Sequence, residues 1–310
     1  MTDSNSEDIL GSLTTIRDYI RWGASRIAQS DVFLGHGTAT PLDEAAALVL
    51  HTLSMPYDLS DHYLNTQMTR AERQQVIDIL QRRITERKPS AYLTGESLFA
   101  GLSFYVDERV LVPRSPIAEL IAERFAPWID ESEVYSVLDL CTGSACIAIA
   151  CAYAFPEAEV DAVDLSADAL AVAEINVEKH DLSEQVYLFQ SDLFQSLPAK
   201  PYDIIVSNPP YVSIAEWKSL PAEFHAEPEM GFTGGESGLD LVIRILVEAK
   251  NYLAEQGILV VEVGSSAQTL QDSFPEVPFQ WLEFENGGDG VFLLTAAQLN
   301  QYHSLFASAL

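Results

Sequence analysis

The chain has 310 residues, 48% of them hydrophobic, enough for two domains or for one large domain with an appendage, each with a real core. Seventeen Lys and Arg against 46 Asp and Glu leave a net charge of −29, which repels phosphate backbones and attracts basic proteins, so nucleic acid is disfavoured as a substrate. No apolar run reaches the roughly 18 residues of a membrane span, and the polar, acidic start is unlike a signal peptide, so a cytoplasmic protein is expected.

From about Ile9 to Arg87 the pattern is helical, with apolar residues three and four apart at Ile9, Leu13, Ile16 and Ile20, at Ala45, Leu48, Val49 and Leu53, and at Val76, Ile77, Leu80 and Ile84. Gly35-His36-Gly37-Thr38 and Met55-Pro56 mark turns, and Pro41 with Asp43 marks a helix start. The basic island Arg82, Arg83, Arg87 and Lys88 reads as a solvated helix face, or else as an anchor for an acidic partner or the neighbouring domain.

After Lys88-Pro89 the character changes. Leu98 to Val112, broken by Asp107-Glu108-Arg109, reads as a short β-hairpin, and a helix is expected from about Pro116 to Ala126. From Val134 strands alternate with helices: strands at 135–140, 159–164, 186–189, 204–208 and 258–263, and helices at 145–154, 167–180 and 239–253. Such alternation predicts a parallel sheet covered on both faces, with its ligand site at the carboxyl ends of the strands. Residues 279–284 and 291–295 flank Asn286-Gly287-Gly288-Asp289-Gly290, a hairpin signal that closes the sheet with an antiparallel strand.

The strand Ile204-Ile205-Val206-Ser207 runs into Asn208-Pro209-Pro210-Tyr211. Proline cannot donate to a sheet ladder and holds the preceding residue out of helical space, so the chain leaves the sheet abruptly and Asn208 stands at a strand's carboxyl end. Three carboxylates share that rim: Asp139 before the small-residue loop Cys141-Thr142-Gly143-Ser144-Ala145, Asp164 before Leu165, and Asp192 before Leu193. The loop lacks Gly-x-Gly-x-x-Gly, which disfavours a pyrophosphate-bearing dinucleotide. Acids at three successive strand ends suit a ligand with a ribose, an adenine and a positive charge but no phosphate, which describes S-adenosylmethionine. Cys141, Cys146 and Cys151 lie five apart without Cys-x-x-Cys or a His at ligand spacing, so neither a disulfide framework nor a metal site is indicated.

These residues resemble the class I S-adenosylmethionine-dependent methyltransferases. The Asn208-Pro209-Pro210-Tyr211 box is similar to that of enzymes methylating a planar amide or exocyclic nitrogen. With the helical front, the hairpin and Val112-Pro113-Arg114, the whole chain resembles the HemK/PrmB group of glutamine N(5)-methyltransferases. The resemblance implies a Rossmann-like α/β sheet with an antiparallel terminal strand. It also implies a helical substrate-recognition domain over 1–94, a hairpin linker over 95–115 and a methyltransferase domain over 116–310. S-Adenosylmethionine is the implied cofactor, held by Asp139, Cys141, Thr142, Gly143, Asp164, Leu165, Asp192, Leu193 and Asn208. Asn208 and Pro209 would hold the substrate amide, with Pro210 aiming and Tyr211 walling the pocket. One branch of the group methylates peptide-chain release factors and the other the large-subunit ribosomal protein uL3. Gly35 to Thr38, Phe104 to Ile117 and Glu285 to Phe292 look like the ribosomal branch, and Pro113-Arg114-Ser115-Pro116 departs from the Pro-Arg-Pro-Glu of the other. The loop departs from the family at Ala145, where Gly is usual, and a small residue is expected to be tolerated. Rival readings are an amino-adenine nucleic-acid methyltransferase and a non-enzymatic assembly factor. The Gly-rich segment Glu227 to Gly238 reads either as a mobile flap or as a long surface loop.

Overall fold

A computed structural model describes residues 3–310; Met1 and Thr2 of the acidic start lie outside it. The chain forms two compact units, one of residues up to Ser97 together with Pro221–Ala226, the other of Leu98–Leu220 and Glu227–Leu310.

The first unit is helical, with α1 (Asp3–Ser12), α2 (Ile16–Ala28), α3 (Pro41–Thr52), α4 (Arg70–Glu86) and α5 (Ser90–Thr94). The apolar repeat through Ile9, Leu13 and Ile16 is cut because Thr15 caps α2: its hydroxyl accepts from the Asp18 N–H, and the Asp18 carboxylate accepts from the Thr15 N–H. Thr69 and Glu72 repeat the device at α4, while Thr40 caps α3 ahead of Pro41. Tyr19, Ala45, Leu48, Val49, Val76, Ile77 and Leu80 fill the core.

The basic island is not a uniform solvated face. Arg82 is exposed and pairs with Glu86 one turn on, but Arg83 is 1% exposed and binds the buried Glu44. Glu223, from the 221–226 segment, receives two hydrogen bonds from Arg87 at 2.5 and 2.8 Å and lies 3.7 Å from Arg83. Four charges are thus buried or half-buried in balance, with Ser90 and Thr38 also donating to Glu44. Such a node is costly to break, since removing one partner of a buried pair typically costs about 3–5 kcal/mol.

In the second unit, β1 (Glu96–Phe99), which begins at its edge, and β2 (Leu102–Tyr105) form the expected hairpin, but its turn is Ala100-Gly101, both with positive φ (49° and 77°). Asp107-Glu108-Arg109 instead makes a local turn in which Asp107 accepts from the Tyr105 hydroxyl and the Arg109 guanidinium, and Val110–Val112 joins no sheet. Helix α6 (Ile117–Ala122) stops short of Ala126 because Arg124 and Phe125 take left-handed backbone angles (φ 52° and 56°).

A seven-stranded sheet follows, built from β3 (Ser136–Leu140), β4 (Glu159–Asp164), β5 (Val186–Gln190), β6 (Tyr202–Ser207), β7 (Leu253–Glu262), β8 (Gln280–Leu282) and β9 (Val291–Thr295) in the order β5-β4-β3-β6-β7-β9-β8. The first five strands are mutually parallel, and β9, the last in sequence, enters antiparallel between β7 and β8. Their connections supply α7 (Cys146–Ala154), α8 (Ala167–Lys179), the single turn α9 (Ile214–Trp217), α10 (Asp240–Glu248), α11 (Ala267–Ser273) and the terminal α12 (Ala296–Ala307). Side chains alternate along each strand. Val137, Ile204, Val206, Ile258 and Val260 pack on α6, α7 and α8, while Leu138, Leu140, Ile205, Leu259 and Val261 pack on α10, α11 and α12. Both faces being buried, the strands read as nearly continuous apolar runs. Helix α10 ends at Glu248 rather than near Leu253, because Leu253 already pairs with Tyr202 at the start of a longer β7.

Candidate active site

The strand order reverses between β3 and β6, whose register pairs Leu140 with Ser207. A crevice opens there at the carboxyl ends, where the two loops diverge to opposite faces of the sheet. The Ser207 hydroxyl donates to the Leu140 carbonyl at 2.8 Å and ties the two strand ends together. Asp192, Asp164, Asp139 and Asn208 therefore follow one another along the rim in the order β5, β4, β3, β6.

The loop after β3 winds through left-handed residues, Cys141 (φ 59°), Gly143 (55°) and Ala145 (63°). That conformation is the one glycine adopts without cost; Ala145 bears about 1–2 kcal/mol of backbone strain there and buries its methyl in the core. The Thr142 N–H donates to the Val163 carbonyl and the Gly143 N–H to the Asp164 carboxylate at 2.9 Å, so the loop is pinned across to β4. Asp164 also accepts from the Ser166 N–H at 2.8 Å, and burial raises its carboxyl above the ordinary range. Leu165 beside it is 56% exposed.

Asp139 is fully buried. One of its oxygens accepts from the Thr142 hydroxyl at 2.5 Å and the Ala148 N–H at 3.1 Å; the other, Oδ1, has no partner among the described residues. Burial pushes this carboxyl up to about 7. An orphaned buried acceptor is rare, and it leaves Asp139 with a free lone pair toward a hydrogen-bond donor. Asp192 is more committed than its sequence suggests: Arg244 lies 2.9 Å from one oxygen, and Gln195 donates to the other at 3.0 Å. Each oxygen keeps a second lone pair. Leu193 turns its side chain into the core. The Cys141 thiol, half-buried, is pushed up by burial and by the nearby carboxylates, so it is a poor nucleophile.

Beyond β6, Pro209 and Pro210 are buried, and the half-buried Asn208 side chain has no hydrogen-bond partner among the described residues. Tyr211 donates its hydroxyl to Glu262 at 3.0 Å, and the Tyr211 carbonyl accepts from the Ser266 hydroxyl at 2.7 Å. The segment after the box is fastened at both ends. Val212 bridges to Thr233, and Gly238, with φ 79°, packs its α-carbon where any side chain would strike the Tyr211 carbonyl. Glu227 is buried, accepting from the Val112 N–H and from both Arg114 terminal nitrogens at 2.9 and 3.1 Å. Arg114 also lies over Phe232, whose ring sits tilted against Trp217. Of the segment expected as a flap or surface loop, Glu229 and Met230 (53% exposed) and, further on, Glu236 and Ser237 are open, while Glu227, Phe232, Gly234 and Gly238 are buried.

Three participants were not singled out from the sequence. Glu262, at the end of β7, carried a signal in that a carboxylate interrupts the apolar run 258–263. Glu227 and Asn176 carried none, because their partners lie far away in the chain. Asn176, fully buried on α8, accepts from the Tyr105 N–H and donates to the carbonyls of Tyr105 and Ser144, joining β2 to the Asp139 loop. No group of His, Cys, Asp and Glu among the described residues is arranged to hold a metal ion.

A sheet of this order with an antiparallel last strand, acidic side chains on successive strand ends and an Asn-Pro-Pro-Tyr turn at the switch point defines a class I S-adenosylmethionine-dependent methyltransferase. The family model described as the methyltransferase small domain matches residues 120–224. The ribosomal protein uL3 glutamine methyltransferase of Francisella tularensis is 45% identical over 306 residues, covering 98% of this chain and 98% of that protein. The protein of the same name from Bordetella pertussis is 48% identical over 289 residues, 93% of this chain and 97% of that one. The chain belongs to the ribosomal protein uL3 glutamine methyltransferase family, and it is an enzyme whose cofactor is S-adenosylmethionine.

Proposed function

We propose that this chain transfers a methyl group from S-adenosylmethionine to the side-chain amide nitrogen, N5, of a glutamine in ribosomal protein uL3. The observation that carries the reading is the Asn208 amide, half-buried and unpartnered at the end of β6 and followed by two prolines. An amide nitrogen is a poor nucleophile because its lone pair is delocalised, so most of the catalysis is orientation. The Asn208 side-chain oxygen and the Pro209 carbonyl accept the two amide N–H groups and stabilise positive charge as it develops. Pro210 restricts the backbone before it and keeps that carbonyl aimed. Tyr211 walls the flat amide. As the nitrogen forms its new N–C bond the methyl–sulfur bond breaks, the electron pair stays on sulfur to leave a neutral thioether, and the nitrogen releases one of its protons to water. Bound S-adenosylmethionine supplies an already electrophilic methyl group, so no residue here needs to activate it.

On the cofactor side, Asp139 would hold the ammonium, Asp164 the ribose hydroxyls and Asp192 with the Leu193 backbone the adenine, and Cys141, Thr142, Gly143 and Leu165 would complete the binding site. The helical residues 1–94 recognise the protein substrate, 95–115 form the hairpin linker and 116–310 carry out the transfer. The strongly acidic surface favours a basic protein over a nucleic acid and accords with work in the cytoplasm on a ribosomal protein. Asn208→Ala is expected to lower kcat on uL3 by 100-fold or more while calorimetry finds S-adenosylmethionine affinity within about threefold of wild type. Equal loss of both would make Asn208 a cofactor or structural residue and defeat the assignment.

A further inference from the structure

Glu262 is the last residue of β7, and the register pairing Ser207 with Val261 sets it beside Asn208 on the same rim. It is 6% exposed and follows Ile258 to Val261, aliphatics buried on both faces of the sheet. A carboxylate is an expensive occupant of such a position and needs partners. Its partners are two hydroxyls: Oε1 accepts from Tyr211 at 3.0 Å and Oε2 from Ser115 at 2.5 Å. Ser115 is itself fixed, because its oxygen accepts from the Ile117 N–H at the start of α6. The carboxylate therefore serves the two hydroxyls it accepts from rather than the packing of the sheet.

Tyr211 is held on its other sides as well. Its carbonyl is bonded to Ser266, and its ring lies against Gly264, where a Cβ would come within 2.5 Å of a ring carbon. Gly264 is pressed into place by the Asn286–Gly290 loop, since the Gly290 carbonyl accepts from the Val263 and Gly264 N–H groups at 2.7 and 3.2 Å. Burial and the adjacent Glu262 push the phenol upward, so it stays protonated and remains a donor.

We propose that Glu262, held by Ser115, is a positioning residue for methyl transfer: it locks the Tyr211 ring as a rigid wall beside Asn208, so that the glutamine amide has one orientation in the pocket. This rests on the glutamine-methyltransferase reading above and deepens it. Misplacement by a fraction of an ångström at a reacting amide lowers turnover without weakening binding in proportion, so the effect falls on kcat.

The test is a double-mutant cycle of Glu262→Gln and Tyr211→Phe, with Ser115→Ala as a third variant, each checked by its melting temperature. Each single change is expected to lower kcat on uL3 about tenfold while KM and S-adenosylmethionine affinity stay within about threefold. The double variant should be no slower than the worse single one, because both remove the same bond. Losses that multiply, or a turnover loss matched by equal losses of cofactor affinity and melting temperature, would overturn the proposal. A second arm needs no activity: with ring-labelled tyrosine, the Tyr211 resonance should report a slower ring flip in wild type than in Glu262→Gln. An unchanged flip rate would overturn the proposal whatever the substrate proves to be. Failure of wild-type enzyme to methylate uL3 would count against the functional reading instead.

Discussion

Asp139 shows what a single carboxyl contributes to such a site. Buried with one oxygen unpartnered, and pushed up to about 7, it is largely neutral below neutral pH and ionised above it. An ammonium prefers the ionised form. Affinity for S-adenosylmethionine should therefore tighten by up to about tenfold between pH 6 and pH 8, and Asp139→Asn should flatten that dependence in calorimetric titrations. A flat wild-type profile would remove Asp139 from the ammonium contact. The sign for stability is opposite. A carboxyl raised on folding contributes fully below its unfolded value near 4, and that contribution is lost as pH rises through about 7, so the cofactor-free enzyme is weakened where the cofactor binds best. Asp164 and Glu262 are raised by burial in the same sense. Asp164 was legible in the sequence because it ends the apolar run of β4, whereas Asp139 interrupts β3 one residue before its end and Asp192 follows two residues after β5. The occupation of Asp192 by Arg244 was not legible, since Arg244 lies 52 residues on and reaches it only once α10 is packed.

Among the elements, the parallel strands were the clearest in advance, because burial on both faces makes each a largely apolar run. The hairpin at 96–105 was misplaced by a few residues. Its turn, Ala100-Gly101, carries a weak signal, while Asp107-Glu108-Arg109 has turn chemistry satisfied locally by an ion pair. What fastens that hairpin to the cofactor loop is Asn176, whose side chain makes three hydrogen bonds to the backbone of Tyr105 and Ser144 without exposure to water. Asn176→Ala would leave one N–H and two carbonyls unpaired in the interior. A loss of about 3 kcal/mol in denaturant unfolding is expected, with weakened S-adenosylmethionine binding because the Ser144 end of the loop is released. An unfolding midpoint within the error of wild type would mean that water or neighbouring groups take over these bonds. Sequence reading finds such residues poorly, because an Asn in the middle of a helix looks like a solvated position.

Over the whole molecule the acidity is unevenly shared. Residues 98–220 and 227–310 hold 8 Lys and Arg against 32 Asp and Glu, a net charge of −24, whereas the helical unit holds 9 against 14, a net of −5. The field that would draw in a basic protein thus belongs mainly to the unit that carries the seven-stranded sheet. Total charge was plain from composition, but this division needed the boundary and the return of 221–226 to the helical unit, which no local pattern announces. Among the described residues no helix is long and apolar enough to cross a membrane. The central claim, that a protein glutamine in uL3 is the methyl acceptor, is tested most directly by incubating the enzyme with labelled S-adenosylmethionine and either purified uL3 or a purified release factor, followed by peptide mass spectrometry. The account predicts one added methyl group on the side-chain amide of a single uL3 glutamine and little or none on the release factor. Label on the Gly-Gly-Gln glutamine of the release factor with uL3 unmodified, or on neither protein, would contradict it.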